Sequence, residues 1–359
     1  MMSPNVNPRE LTRPGRGVAH KMLAAGVAGL LTVAATGCGG GGGSGGEQDK
    51  SWVHAIVTPK GDAGYILMAQ EKKYYKEQGI DVKIKSFTGN IPLNQALASG
   101  DVDSIETSPD PVFDAATKGG NAKIIGSTLP GLTYAVIAQK NVKSFADLRG
   151  KKIGVSLPGS LPDVAARAMV EHEGMDSKSV KAVNVGNDAQ RFQAVSAGRV
   201  EAAAVSSEFV PRAEASGKLH VLGVAEEMLP KYPRFMIAAN GDSLEEKPDT
   251  AVKFLAATMQ GISHAAANRD EALKISAKTL KTEPSDESLT YFYDRIRKYD
   301  AASPRCEVPM DKLKWLQNYR LKAGLQKERV NLDEIVDTSY QKKALKRVGD
   351  KLEEPEDGQ

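Results

Sequence analysis

Gln95-Ala-Leu-Ala-Ser-Gly-Asp-Val-Asp-Ser104 returns 98 residues later as Gln193-Ala-Val-Ser-Ala-Gly-Arg-Val-Glu-Ala202. In both copies an amphipathic segment stops at a glycine, Gly100 or Gly198, and a short apolar run leads into a polar loop. That order spells a helix, a glycine stop and a buried strand. The register holds upstream, where Val82-Lys-Ile-Lys-Ser-Phe-Thr-Gly-Asn90 lies over Val180-Lys-Ala-Val-Asn-Val-Gly-Asn-Asp188. Before each comes one more strand with a glycine-containing turn, at residues 55–61 and 152–159. Two copies are too few for a solenoid. They predict an α/β chain of two lobes, each a mostly parallel sheet flanked by helices. Strand-end loops of such sheets hold ligands, so two facing lobes would line one cleft.

The chain has 359 residues, 26% of them charged, and a mean hydropathy of -0.36, which suits a soluble two-domain protein. Its net charge of +3 comes from the first 37 residues, where Arg9, Arg13, Arg16 and Lys21 stand against Glu10. Without them basic and acidic residues are equal in number. A neutral body has no long-range attraction for nucleic acid, and none is expected as a partner.

Basic residues lead into an apolar run of small residues, Met22 to Ala35, too short for a membrane span and suited to a signal peptide over residues 1–37. The run ends in Ala35-Thr-Gly-Cys38, which resembles the bacterial lipobox, with Ala35 where that motif usually has leucine. The resemblance implies lipidation of Cys38 (palmitate among its acyl groups) and a body anchored on the extracytoplasmic, periplasmic face of the cell membrane. Residues 38–50, rich in glycine, form a tether with a reach of roughly 20 Å. Cys306 is then an unpaired thiol in a partly buried place.

After the tether, residues 53–58 read as a strand and Tyr65 to Gln78 as a helix stopped by Gly79. Asp62 stands where it can cap that helix or face a ligand. Helix starts near Asn90, Ser160 and Asp188 expose backbone N–H groups towards the cleft. Ser144 caps a helical turn that Gly150 ends. The last third is helical, with apolar faces through Val252, Leu255, Met259 and Ile262, then Leu289, Phe292, Tyr293 and Ile296, and a third helix after Pro309. These read as cladding.

Polar residues on the strand-end loops are the candidate ligand contacts. They are Asp62, Tyr65, Asn90, Thr107, Ser108, Asp110, Tyr134, Ser160, Asp188 and Glu208, with Ser156, Asn187, Ser207 and Phe209 beside them. The acids would repel a simple anion unless helix N-termini and Arg191 or Arg234 compensate, which favours an uncharged or aminated heterocycle. Catalytic and metal motifs are missing from the pattern. Gly-x-Ser-x-Gly occurs only within the glycine tether, at Gly42 to Gly46, there is no Walker loop and no His-Glu-x-x-His, and the five histidines stand singly. Neither metal nor cofactor is expected.

Lys143-Ser-Phe-Ala-Asp-Leu-Arg-Gly-Lys-Lys-Ile-Gly-Val-Ser-Leu-Pro-Gly-Ser160 carries a more specific resemblance. With Ala69-Gln-Glu-Lys-Lys-Tyr-Tyr-Lys-Glu-Gln-Gly-Ile80, the Ala-Leu-Ala-Ser-Gly-Asp-Val-Asp run and Val336-Asp-Thr-Ser-Tyr340, it resembles bacterial periplasmic solute-binding proteins of the nitrate, sulfonate, taurine and thiamine-pyrimidine-precursor branch. That resemblance implies a type II periplasmic-binding-protein fold with extra C-terminal helices. Lobe one would be residues 51–135 and 235–345, lobe two 136–234, with hinges near 135–139 and 235–240 and a charged tail at 346–359. It implies a monomeric, non-enzymatic component of an ABC importer that binds a small organic molecule (a sulfonate, an aromatic acid or a pyrimidine-like heterocycle) and hands it to the permease and its ATPase. Ser206-Ser-Glu-Phe209 departs from the Trp-Asp-Pro-Tyr-like run of the sulfonate branch. The fungal pyrimidine synthases of related fold use a cysteine cluster that this chain does not have. A fold-related enzyme and an extracellular sensor are the alternatives.

Overall fold

The computed structural model describes residues 49–353, so the signal segment, Cys38 and most of the tether lie outside the described residues. Two five-stranded sheets organise the rest. The first is built from β1 (Ser51–Val57), β2 (Asp81–Phe87), β3 (Ser104–Thr107) and β4 (Lys123–Leu129), the second from β5 (Tyr134–Gln139), β6 (Lys152–Val155), β7 (Lys181–Asn184), β8 (Ala202–Ser206) and β9 (Leu219–Val224). The chain then returns to place β10 (Phe235–Ala239) in the first sheet.

The strand orders are β2-β1-β3-β10-β4 and β7-β6-β8-β5-β9. Each sheet thus has one antiparallel strand, β10 or β5, in an otherwise parallel set. The repeat legible in the sequence is the repeat of the fold. His54 and Ala55 pair with Ser104 and Ile105, while Ile153 and Gly154 pair with Ala202 and Ala203, at the same steps of the two copies. The glycine stops hold too, with φ of 77° at Gly100 and 72° at Gly198, a left-handed geometry that costs a side chain energy.

Helices clad both sheets. α1 (Ala63–Glu71), α2 (Tyr74–Glu77), α3 (Asn90–Ala98) and α4 (Pro109–Ala116) belong to the first half of the chain. α5 (Leu161–His172), α6 (Asp188–Ser196), α7 (Val210–Ala215) and α8 (Ala225–Met228) follow among the strands of the second sheet. The C-terminal third supplies α9 (Gly241–Glu246), α10 (Pro248–Ala267), α11 (Arg269–Leu280), α12 (Glu287–Lys298), α13 (Met310–Lys322), α14 (Leu332–Ile335) and α15 (Thr338–Val348). The single helix expected from Tyr65 to Gln78 is instead α1 and α2, split at Lys73, whose φ of 64° breaks the helical ladder. Ser144 and Asp147 do form a capping box, on the short 3₁₀ turn Phe145–Leu148.

A hydrophobic cluster runs from Ile105 and Phe113 through Leu132 and Tyr134 to Val155 and Val164, so side chains of both sheets share one core. A second cluster seats Trp52 and Tyr75 on Phe254 of α10, with ring centroids 5.6 and 5.7 Å apart. Of the hinges expected at 135–139 and 235–240, the first lies within β5 and all of the second but Asn240 within β10, both paired in the sheets. The chain passes between the sheets just before them, at 130–133 and 229–234.

Candidate functional site

Parallel strands bring the ends of β1, β3, β6 and β8 and the starts of β5 and β10 to one region, as Tyr134 opposite Ser206 and Met236 opposite Thr107 show. The loop after β1 reaches across to the second sheet. Lys60 pairs with Asp188, and the Gly61 N–H donates to Glu208 Oε2 at 2.8 Å. A Cβ at position 61 would sit 2.5 Å from that carboxylate oxygen and 3.2 Å from Phe292, so this approach needs glycine.

Three arginines hold the rest. Asp188 takes Arg191 on its own helix and the Ser206 N–H at 3.0 Å, so α6 is tied to the end of β8. Arg234 donates to Asp62 Oδ2 at 2.6 Å and to Thr133 Oγ1 at 2.9 Å, joining the two crossing segments to the loop after β1. Its guanidinium stacks 4.3 Å from the Phe235 centroid. On the other flank Arg320 of α13 donates to Asp110 at 2.7 Å and Asp114 at 2.6 Å, both on α4.

Burial sets the protonation of these groups. Burial raises Glu106, within β3, to about 8, helped by Asp62 and opposed by the hydroxyl that Thr128 donates at 2.7 Å. Glu208 is raised to about 7 by burial, with Lys60 pulling the other way. Burial would raise Asp188 too, but Arg191 and Lys60 overcome it and hold the carboxyl well below its usual range. Glu106 is therefore mostly neutral at pH 7, and Asp62, Asp110 and Asp188 each face a cation.

Several buried polar atoms here have no hydrogen-bond partner: Thr107 Oγ1, Asp110 Oδ2, Ser206 Oγ, Tyr232 Oη and Arg234 Nε. They come from β3, α4, β8 and the second crossing segment, the elements whose ends converge. Unpaired groups of this kind cost about 1–3 kcal/mol each, a cost that a hydrogen-bonding ligand removes.

Of the residues singled out in the sequence, Asp62, Thr107, Ser108, Asp110, Tyr134, Asp188 and Glu208 lie at the converging ends. Asp62 occupies the cap position of α1 without capping it, because Arg234 takes its carboxylate. Tyr65 points elsewhere, stacked 5.3 Å from Tyr293 among the helices cladding the first sheet. Asn90 is exposed at the start of α3. Ser160 spends its hydroxyl on Ser156 and Leu157 in its own turn. Lys60, Glu106, Thr133, Ser206, Tyr232 and Arg320 join the region without having been singled out. A signal existed for Ser206, the residue that ends the second copy's buried strand as Thr107 nearly ends the first.

Residues 61–272 match the family model described as NMT1/THI5 like, more than half of the chain. The chain belongs to that family. Its NMT1/THI5-like relatives include a Brucella abortus (strain 2308) protein whose name gives it only a provisional binding role, 28% identical over 61% of this chain and 68% of that one. The formylaminopyrimidine-binding protein of Halalkalibacterium halodurans is 24% identical over 65% and 73%. A Saccharomyces cerevisiae 4-amino-5-hydroxymethyl-2-methylpyrimidine phosphate synthase is 28% identical, but over 35% of this chain and 38% of its own. Among solved structures, the periplasmic nitrate-binding protein of Synechocystis PCC 6803 superposes with a TM-score of 0.70, covering 87% of this chain and 93% of that one at 16% identity. The alkanesulfonate-binding protein of Xanthomonas axonopodis gives 0.68, with 81% and 99% covered at 14% identity. This NMT1/THI5-like chain has the periplasmic-binding-protein fold, and its structural neighbours include a ligand-binding component of an ABC-type import system from Staphylococcus aureus.

Proposed function

We propose that this protein is the extracytoplasmic solute-binding component of an ABC importer. It takes a small organic molecule carrying both hydrogen-bond donors and acceptors, an aminated heterocycle of the pyrimidine kind. The carrying observation is the set of unpartnered buried atoms at the converging strand ends, which mixes a guanidinium donor, a carboxylate acceptor and three hydroxyls. A simple anion fits this set poorly, because each buried aspartate already neutralises the nearest cation. The formylaminopyrimidine-binding relative supports the same class.

In this reading one lobe is residues 51–135 with 235–345, the other is 136–234, and the crossing segments at 130–133 and 229–234 flex as they close. Capture is differential affinity for the closed state, not bond making, and a monomer passes its cargo to the permease. Lipidation at Cys38 would hold it at the membrane. The yeast relative keeps turnover as the rival reading. Against it, Cys306 is wholly buried with its thiol pushed up by burial, and His54 is buried in a hydrogen bond to Ser104.

The test is to purify the full chain without refolding, release any bound molecule, identify it by mass spectrometry and add it back in a thermal melt. A heterocycle that raises Tm, and whose binding weakens about tenfold in Thr107→Val or Ser206→Ala, supports the proposal. An empty protein with no shift from pyrimidines, sulfonates, nitrate or aromatic acids sinks it. Conversion of the added molecule would make the protein an enzyme.

A further inference from the structure

A cavity of about 330 Å³ opens between α5, the 228–231 segment and α13, and none of its lining residues is among those gathered at the converging strand ends. Its wall is apolar, formed by Ala168, Met228, Leu229 and Pro230 with Trp315 and Tyr319, whose rings lie parallel, 5.6 Å apart and 10° from coplanar. Two stacked rings beside aliphatic side chains make a slot for a third flat ring. Behind this wall the ring of Tyr232 packs on Trp315 at 5.8 Å, and the Tyr319 side chain is only 9% exposed, so both rings of the slot are held in place.

The rim supplies charge. Lys322 is paired with Glu171 at 3.4 Å, which leaves exposed Lys231 with no ion pair among the described residues, and His172 lines the same cavity. An occupant that satisfies both parts has an apolar ring for the slot and one negative charge for Lys231. We propose that this cavity is a second small-molecule site, for a planar aromatic monocarboxylate, separate from the solute site at the strand ends.

Trp315 makes the proposal measurable, since it is only partly buried, whereas the other tryptophan, Trp52, is fully buried against Phe254. The full chain is titrated with benzoate and indole-3-carboxylate, and with indole as the uncharged control. Tryptophan emission is followed for benzoate, and saturation-transfer NMR for all three. The expected result is saturable binding of both carboxylates, weakened at least fivefold by Lys231→Gln, which also erases their advantage over indole. Ala168→Leu fills the slot and abolishes binding, while Thr107→Val at the strand ends leaves it as in the wild type. If Ala168→Leu does not fold, Lys231→Gln on the exposed rim carries the test alone. Absence of saturable binding by either method overturns the proposal. So does carboxylate binding that is lost in Thr107→Val yet unchanged by Lys231→Gln, which would place the carboxylate in the solute site.

Discussion

Glu106 is the residue on which the site's pH behaviour turns. Its carboxyl titrates near 4.5 when unfolded and about 8 in the fold, so the native state holds an extra proton between those values. Its contribution to stability is therefore full below about pH 4.5 and is lost as pH rises towards 8. Glu106→Gln keeps the acceptor for Thr128 and removes the titration. The variant should gain on the wild type by roughly 2–4 kcal/mol between pH 5 and pH 8, read from urea melts at both values. Equal slopes would mean that Glu106 is ionised throughout. Nothing in Ser-Ile-Glu-Thr107 announces this glutamate, because all four residues of β3 are buried and alternation carries no information there. Asp62, Asp110 and Asp188 were legible because loops before helices collect such residues. Arg191 and Arg234 were named as cations able to compensate them, but not which acid each meets, and Arg320 was not named, since it lies 210 residues from Asp110.

At the scale of elements, α13 is fastened to α4 by Arg320, and the fastening is a buried one. Arg320 and Asp110 are each 1% exposed, so Arg320→Met leaves a carboxylate in the interior without its cation. The expected loss is about 3 kcal/mol in chemical denaturation, and Asp110→Asn in the same background should recover part of it. A loss below 1 kcal/mol would show that α13 is held by its apolar face instead. The helix-to-strand units were readable from their glycines, and these make a matched pair. Gly100→Ala and Gly198→Ala should each cost about 1 kcal/mol from backbone strain, because no atom lies within 4 Å of the added Cβ at Gly100 and only Gln139 Nε2, at 3.2 Å, at Gly198. The split of α1 from α2 left no such mark, because Lys73 adopts a left-handed φ that its residue type does not advertise.

For the whole molecule, Lys60 to Asp188 and Gly61 to Glu208 are bonds from one sheet's loops to the other's. Lys60→Met should enlarge the radius of gyration in solution scattering and weaken solute binding about tenfold, near 1.4 kcal/mol. An unchanged profile would leave closure to the apolar core alone. The duplicated pattern was enough to read two similar sheets, but not the antiparallel strand β10 that the first receives from a distant part of the chain. That return sets an order of assembly. β3 and β4 never touch directly, since β10 lies between them, and Met236 meets Thr107 across 129 residues of chain. A chain leaving the ribosome can therefore pair β1 with β2 and β3, while β4 has no strand of its sheet beside it until about residue 240 has emerged. Contacts this distant in sequence form slowly. A nascent chain ending before β10 should show little amide protection in β4, so the first sheet is completed only after the whole second sheet has been made.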